Sequence, residues 1–138
     1  MEFTDQELML IEQIDNATVD DNSPLGQWYK EVVNKSLEDI TIGDYSRMLR
    51  QNVLLHLAVP NTLSILFDNP FEGEMYDGEM LELLIRVIKA NKGLVTQKNL
   101  QELLMVAKKE IDRYEWESER DKEENILLLK ELATLADN

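Results

Sequence analysis

The sequence predicts an all-α protein, a single-domain bundle of about six to eight helices over residues 1–138. Three observations carry that class. Apolar residues recur at three- and four-residue spacing almost throughout, and no run alternates as a half-buried strand must. Residues suited to cap helices, Thr4, Ser23, Thr41 and Thr96, stand just ahead of those periodic runs. The chain is 43% hydrophobic, which is enough for a core, so its heavy charge does not place it among disordered sequences.

The elements follow in order. Thr4 with Glu7 three residues later forms a capping box that opens a first helix to about Asn16. Asp20, Asp21, Asn22 and Ser23 make a turn. Ser23 then caps a second helix with Pro24 at its first position, where the missing N–H costs nothing. That helix sets Trp28 and Val32, or Tyr29 and Val33, one turn apart. Thr41 caps a long third helix whose stripe is Ile42, Tyr45, Leu49, Val53 and His56, and Pro60 kinks it or starts another. Residues 53–67 carry no formal charge and are expected to be the most buried element. Asn69-Pro70 ends it, because a residue before proline avoids the α region. A loop over residues 69–78 leads into a helix with Leu81, Leu84, Ile85 and Ile88 on one face and Gly93 as its C-terminal cap. Thr96 opens a helix with Leu100, Leu104, Ala107, Ile111 and Tyr114 in register. Ser118 to Asp121 is either a fresh cap or a continuation, and Leu128, Leu132 and Leu135 complete the pattern.

Charge narrows the possible partners. The formal net charge is −14, with 28 acids against 14 Lys and Arg. Nucleic-acid binding needs bases that neutralise phosphate, and an anionic membrane surface needs the same, so neither partner is expected. The sequence contains no cysteine, which removes disulfides, thiolate nucleophiles and zinc–thiolate sites. The acidic, interrupted N-terminus does not read as a signal peptide, and the uncharged run is too short to span a bilayer, so a cytoplasmic location is expected. The charge is also segregated. Residues 1–85 hold 17 acids and four bases, whereas residues 86–138 are nearly balanced. Two windows, 1–29 and 51–85, lack Lys and Arg altogether, and solubility alone does not call for such segregation. A surface complementary to a basic protein does.

Candidate chemistry is sparse. His56 is the single histidine and lies on an apolar stripe, so it reads as a hydrogen-bonded core or boundary residue. Five scattered glycines form no phosphate cradle. Nothing indicates an enzyme or a cofactor. From Asp68 the loop imitates a calcium-binding helix–loop–helix site, with Gly73 sixth and Glu79 twelfth, but Pro70 stands at the third place and has no side-chain oxygen. No metal is therefore expected, and a calcium module is a minor alternative. Arg47, Arg50 and Gln51 share a helix face, and the two arginines read as internal ion-pair anchors for the acidic loop. Phe71 and Tyr76 either pin that loop to the core or anchor an interface.

The ordered set Trp28, Asp44, Arg47, Arg50, Gln51, Pro60, then Asn69-Pro70-Phe71, Gly73-Glu74, Tyr76 and Gly78-Glu79 resembles the immunity proteins of bacterial contact-dependent growth inhibition systems. The resemblance runs from about Trp28 to Ile88, and the loop is its most distinctive part. It implies a small cytoplasmic helical protein without catalytic activity. Such a protein binds the C-terminal toxin domain delivered by a neighbouring cell, here implied to be a ribonuclease-type toxin.

The residues agree with that implication on their own terms. A nuclease has a basic cleft, and carboxylates can occupy its phosphate positions. The expectation is a 1:1 complex that masks the toxin's active site, with contacts from Asp20, Asp21, Glu72, Glu74, Asp77 and Glu79 and anchors from Phe71 and Tyr76. The alternative from the same acidity is a nucleic-acid mimic that blocks a DNA-binding protein.

Overall fold

The computed structural model describes residues 23–137. The expected helix from Thr4 and the acids Asp20 and Asp21 lie outside the described residues. Among the described residues there are six α-helices, one 3₁₀ segment and no strand, so the all-α expectation holds. The helices are α1 (Pro24–Val33), α2 (Ile42–Gln51), α3 (Leu55–Asp68), α4 (Glu79–Ala90), α5 (Gln97–Glu110) and α6 (Glu119–Asp137), with the 3₁₀ segment at Leu37–Asp39. The chain divides into two compact units, Met1–Ala58 and Val59–Asn138.

In the first unit the caps are where the sequence puts them. Ser23 Oγ accepts the Gly26 N–H at 2.9 Å, and Pro24 opens α1. Tyr29 and Val32 are buried, so the inward stripe of α1 takes one residue from each expected pair. Thr41 and Asp44 form a reciprocal capping box at the start of α2. The expected long third helix, however, is two helices. Asn52 adopts the left-handed region at φ 55° and ψ 40°, and the Val53 N–H reaches back to the Met48 carbonyl at 3.1 Å. Leu54 is also left-handed at φ 53°, and its carbonyl accepts the Leu57 and Ala58 N–H groups that begin α3. Asparagine tolerates that conformation. In leucine it costs about 1–2 kcal/mol, offset here by burying the side chain. The apolar stripe runs unbroken through this joint, so periodicity does not show the break.

Pro60 does not start a helix but lies inside α3. It is exposed, as is His56, whose carbonyl the proline cannot bond, so solvent can satisfy that group. The exposure of His56 also corrects its expected place in the core or at its boundary. Ending α2 at Gln51 breaks the stripe that would have turned the histidine inward.

The most buried helix is α4, not residues 53–67. Eight of its twelve residues are buried, from Glu79 and Met80 through Val87 and Ile88. The neutral stretch contains His56, Pro60 and Ser64, all exposed. Lack of charge is not the same as apolarity, and burial follows apolar area. In the second unit α6 packs on α5 and on α4. The inward stripes are Leu100, Leu103 and Ala107 on α5 and Asn125, Leu129, Leu132 and Ala136 on α6. Leu100, Ala107, Ile111 and Leu132 are buried as the pattern expects, whereas Leu104, Leu128 and Leu135 are only half-buried and Leu103, Leu129 and Ala136 face inward instead. α5 stops at Glu110, and the Trp116 indole N–H caps the Ile111 carbonyl at 2.9 Å. Ser118 Oγ then accepts the Asp121 N–H at 3.1 Å, so Ser118 is a fresh cap rather than part of a continuous helix.

Candidate functional site

The loop between α3 and α4 is built by its own residues. Asn69 Oδ1 accepts the Phe71 N–H at 3.1 Å and its carbonyl accepts the Glu72 N–H, a local turn that competes with continuing the helix. The Gly78 N–H closes the loop on the Phe71 carbonyl at 2.7 Å. Glu79, 1% exposed, turns back into the loop, where Oε1 accepts the Glu74 N–H at 2.8 Å and the Met75 N–H at 3.1 Å. Two glycines permit this close return. A Cβ on Gly73 would run into the Tyr76 carbonyl, and one on Gly78, at φ +86°, would meet the Asn125 side chain.

The segment after α5 anchors the loop from the side. Phe71 is fully buried against Tyr114 and Trp116, with ring centroids 5.3 and 4.8 Å away in edge-to-face geometry. Tyr114 and Trp116 are 4.5 Å apart. The Tyr114 hydroxyl donates to Asp77 Oδ1 at 2.7 Å. Burial, followed by that bond to a carboxylate, pushes the phenol up to about 12. Asn125 on α6 donates to the Asp77 carbonyl at 3.4 Å and to the Asp121 carbonyl at 2.9 Å.

These contacts create a groove of about 360 Å³ lined by Gly73, Glu74, Met75, Tyr76, Asp77, Glu117, Asp121 and Glu124. Five of the eight are carboxylates and none is basic. One wall is the loop, and the other is the start of α6 with the turn before it. Helix N-termini favour carboxylates, which eases the crowding of Asp121 at that wall. Glu124 also pairs with Arg120 at 3.2 Å, an exposed contact of small energy. Met75 and Tyr76 project at the rim, 74% and 50% exposed. Large apolar side chains beside uncompensated charge are what a protein interface offers.

The expected contact residues therefore separate. Glu74, Tyr76 and Asp77 line the groove, and Glu72 is half-buried beside it, bonded to Asn69 Nδ2 at 3.1 Å. Phe71 and Glu79 are interior and cannot offer their side chains to a partner; both build the loop. Of the two readings of the loop aromatics, pinning holds for Phe71 and exposure for Tyr76. The calcium register has no support in this geometry, because the carboxylate at its twelfth place already receives two backbone N–H groups. Among the described residues no three His, Asp or Glu side chains group to hold a metal.

Glu117, Asp121 and Glu124 are the residues that sequence reasoning missed. Arg120 and Lys122 interleave with them, so the local net charge conceals a one-sided acidic wall. The Arg47 guanidinium lies over the Trp28 ring, 5.1 Å from its centroid, and Arg50 is exposed on the same helix. Asn69, Glu79, Tyr114 and Asn125 each place a side-chain hydrogen bond on the loop.

Trp28 belongs to a second polar cluster, within the first unit. Asp44, almost buried, accepts the Trp28 indole N–H at 3.0 Å, the Lys35 ammonium at 2.8 Å and the Thr41 N–H at 3.0 Å. Burial alone would raise its carboxyl, but these three donors outweigh burial and hold it below the usual value.

No helix among the described residues is long and apolar enough to cross a membrane. A family model described as CDI immunity proteins matches residues 10–103. No curated protein and no solved structure matches the chain.

Proposed function

The chain belongs to the family of CDI immunity proteins, and from that premise we propose that it neutralises its cognate toxin by covering a basic active site with the acidic groove. CDI immunity implies a toxin partner, and an acidic groove suits a basic one, such as a ribonuclease that binds phosphate. The observation that carries this reading is the pairing of two acidic walls, none of whose lining residues is basic, with Met75 and Tyr76 exposed at the rim. In the complex Glu74, Asp77, Glu117 and Asp121 take the places of substrate phosphates, and Tyr76 is the aromatic anchor. One immunity protein meets one toxin domain, in the cytoplasm of the protected cell, and no reaction is catalysed. Asp20 and Asp21 belong to the same proposal as a second acidic contact.

Charge sets the kinetics. A field from several uncompensated carboxylates steers a basic partner and raises the on-rate above the unsteered range of about 10⁵–10⁶ M⁻¹s⁻¹, with strong salt dependence. Glu74→Lys with Asp77→Lys, and separately Glu117→Lys with Asp121→Lys, should each slow association with the toxin domain at least tenfold at low salt. Both pairs should lose much of the wild-type salt dependence. Stopped-flow association at two salt concentrations measures this. On-rates indifferent to both reversals and to salt would sink the acidic-groove mechanism.

A further inference from the structure

We propose that Tyr114 is a positioning residue for partner binding, holding Asp77 and with it the loop wall of the groove in the conformation that the toxin meets. This rests on the reading of the groove as the toxin-binding surface. Tyr114 does not line the groove, and it lies beyond the residues matched to the family. Its hydroxyl nevertheless makes the shortest side-chain bond to any groove carboxylate, 2.7 Å to Asp77 Oδ1. Its ring closes the edge-to-face cluster that fixes Phe71, the residue whose carbonyl closes the loop.

The placement has a direct physical consequence. An exposed carboxylate on a surface loop samples several rotamers, and freezing them on binding costs affinity. Here one Asp77 oxygen is held by a hydroxyl from behind the wall, and the Asp77 carbonyl receives the Asn125 amide. A neutral donor orients the aspartate without cancelling its charge, which a lysine or arginine in the same place would do. The carboxylate is thus fixed without a countercharge supplied by the group that fixes it. Tyr114 stays a donor throughout the physiological range because its phenol titrates far above it. The residues matched to the family supply the loop wall, and a tyrosine outside the match determines how rigid that wall is.

Tyr114→Phe keeps the ring and its contacts with Phe71 and Trp116 and removes only the hydroxyl. Affinity for the cognate toxin domain is measured by calorimetry in a double-mutant cycle with Asp77→Ala, alongside melting temperatures. Tyr114→Phe should weaken binding about tenfold, the effect of losing one hydrogen bond to a charged group. In the Asp77→Ala background the same change should cost less than twofold, because the group it positions is gone. Equal losses in both backgrounds, or binding by Tyr114→Phe within twofold of wild type, would overturn the inference while leaving the groove as the binding surface. A wild-type chain that forms no complex would overturn the proposed function and this inference with it.

Discussion

Asp44 in the first unit and Glu79 in the second are both buried acids in a chain with twice as many acids as bases, and they are stabilised differently. Asp44 has a lysine, an indole and a backbone N–H around it. Glu79 receives two backbone N–H groups from the loop it organises. The first arrangement pins α1 to the start of α2 and uses a scarce cation inside the fold. The second shapes a loop by gathering backbone donors from that same loop. Buried carboxylates can therefore be scaffolding at both places, while the loop region also keeps carboxylates at its surface.

The largest effect should come from removing the loop's internal acceptor. Glu79→Ala strands two backbone donors, and urea unfolding should report a loss of about 3 kcal/mol. Glu79→Gln, which keeps one acceptor oxygen, should recover about half. A loss under 1 kcal/mol for Glu79→Ala would mean that the loop is held by its aromatic cluster alone.

A smaller effect, about 1–2 kcal/mol at neutral pH, is expected for Asp44→Asn, which keeps an acceptor but loses the charge facing Lys35. Its pH dependence sharpens the contrast. The folded Asp44 carboxyl titrates below 3.8, so its contribution is complete above that value and is lost as pH falls through the lower folded one. Acid unfolding of the wild type should therefore be steeper below about pH 4 than that of Asp44→Asn. Equal slopes would show that Lys35 and Trp28 do not favour the ionised form.

The smallest effect lies at alkaline pH. The neutral Tyr114 phenol is favoured in the folded state, so its contribution is complete below pH 10 and declines as pH rises from 10 to about 12. Wild type should lose stability relative to Tyr114→Phe across that interval, and the phenolate absorbance of the folded protein should show one tyrosine titrating late. Coincident stability curves would remove the Asp77 bond as a stabilising contact.

Much of this molecule is legible from local chemistry. Ser23, Thr41, Thr96 and Ser118 cap helices because short hydroxyl side chains satisfy the first N–H groups, a preference that needs no tertiary partner. Asn69-Pro70 ends α3, the stripe Leu81, Leu84, Ile85 and Ile88 faces inward, and the charge-segregated loop is part of the groove. These follow from torsional limits, helical period and composition, all of which act within a few residues.

Other features depend on groups brought together from distant positions. The break at Asn52 and Leu54 depends on burial that stabilises a left-handed leucine. Glu79 reads as one more surface acid until the loop folds back over it. Glu117, Asp121 and Glu124 become a wall only when α6 sets them opposite Glu74 and Asp77, more than 35 residues away in the chain. Sequence determined that the protein would be helical and acidic and where its loop would stand. Tertiary structure decided which carboxylates are buried as scaffolding and which line an open groove, because burial and hydrogen bonding are settled by neighbours in space rather than along the chain.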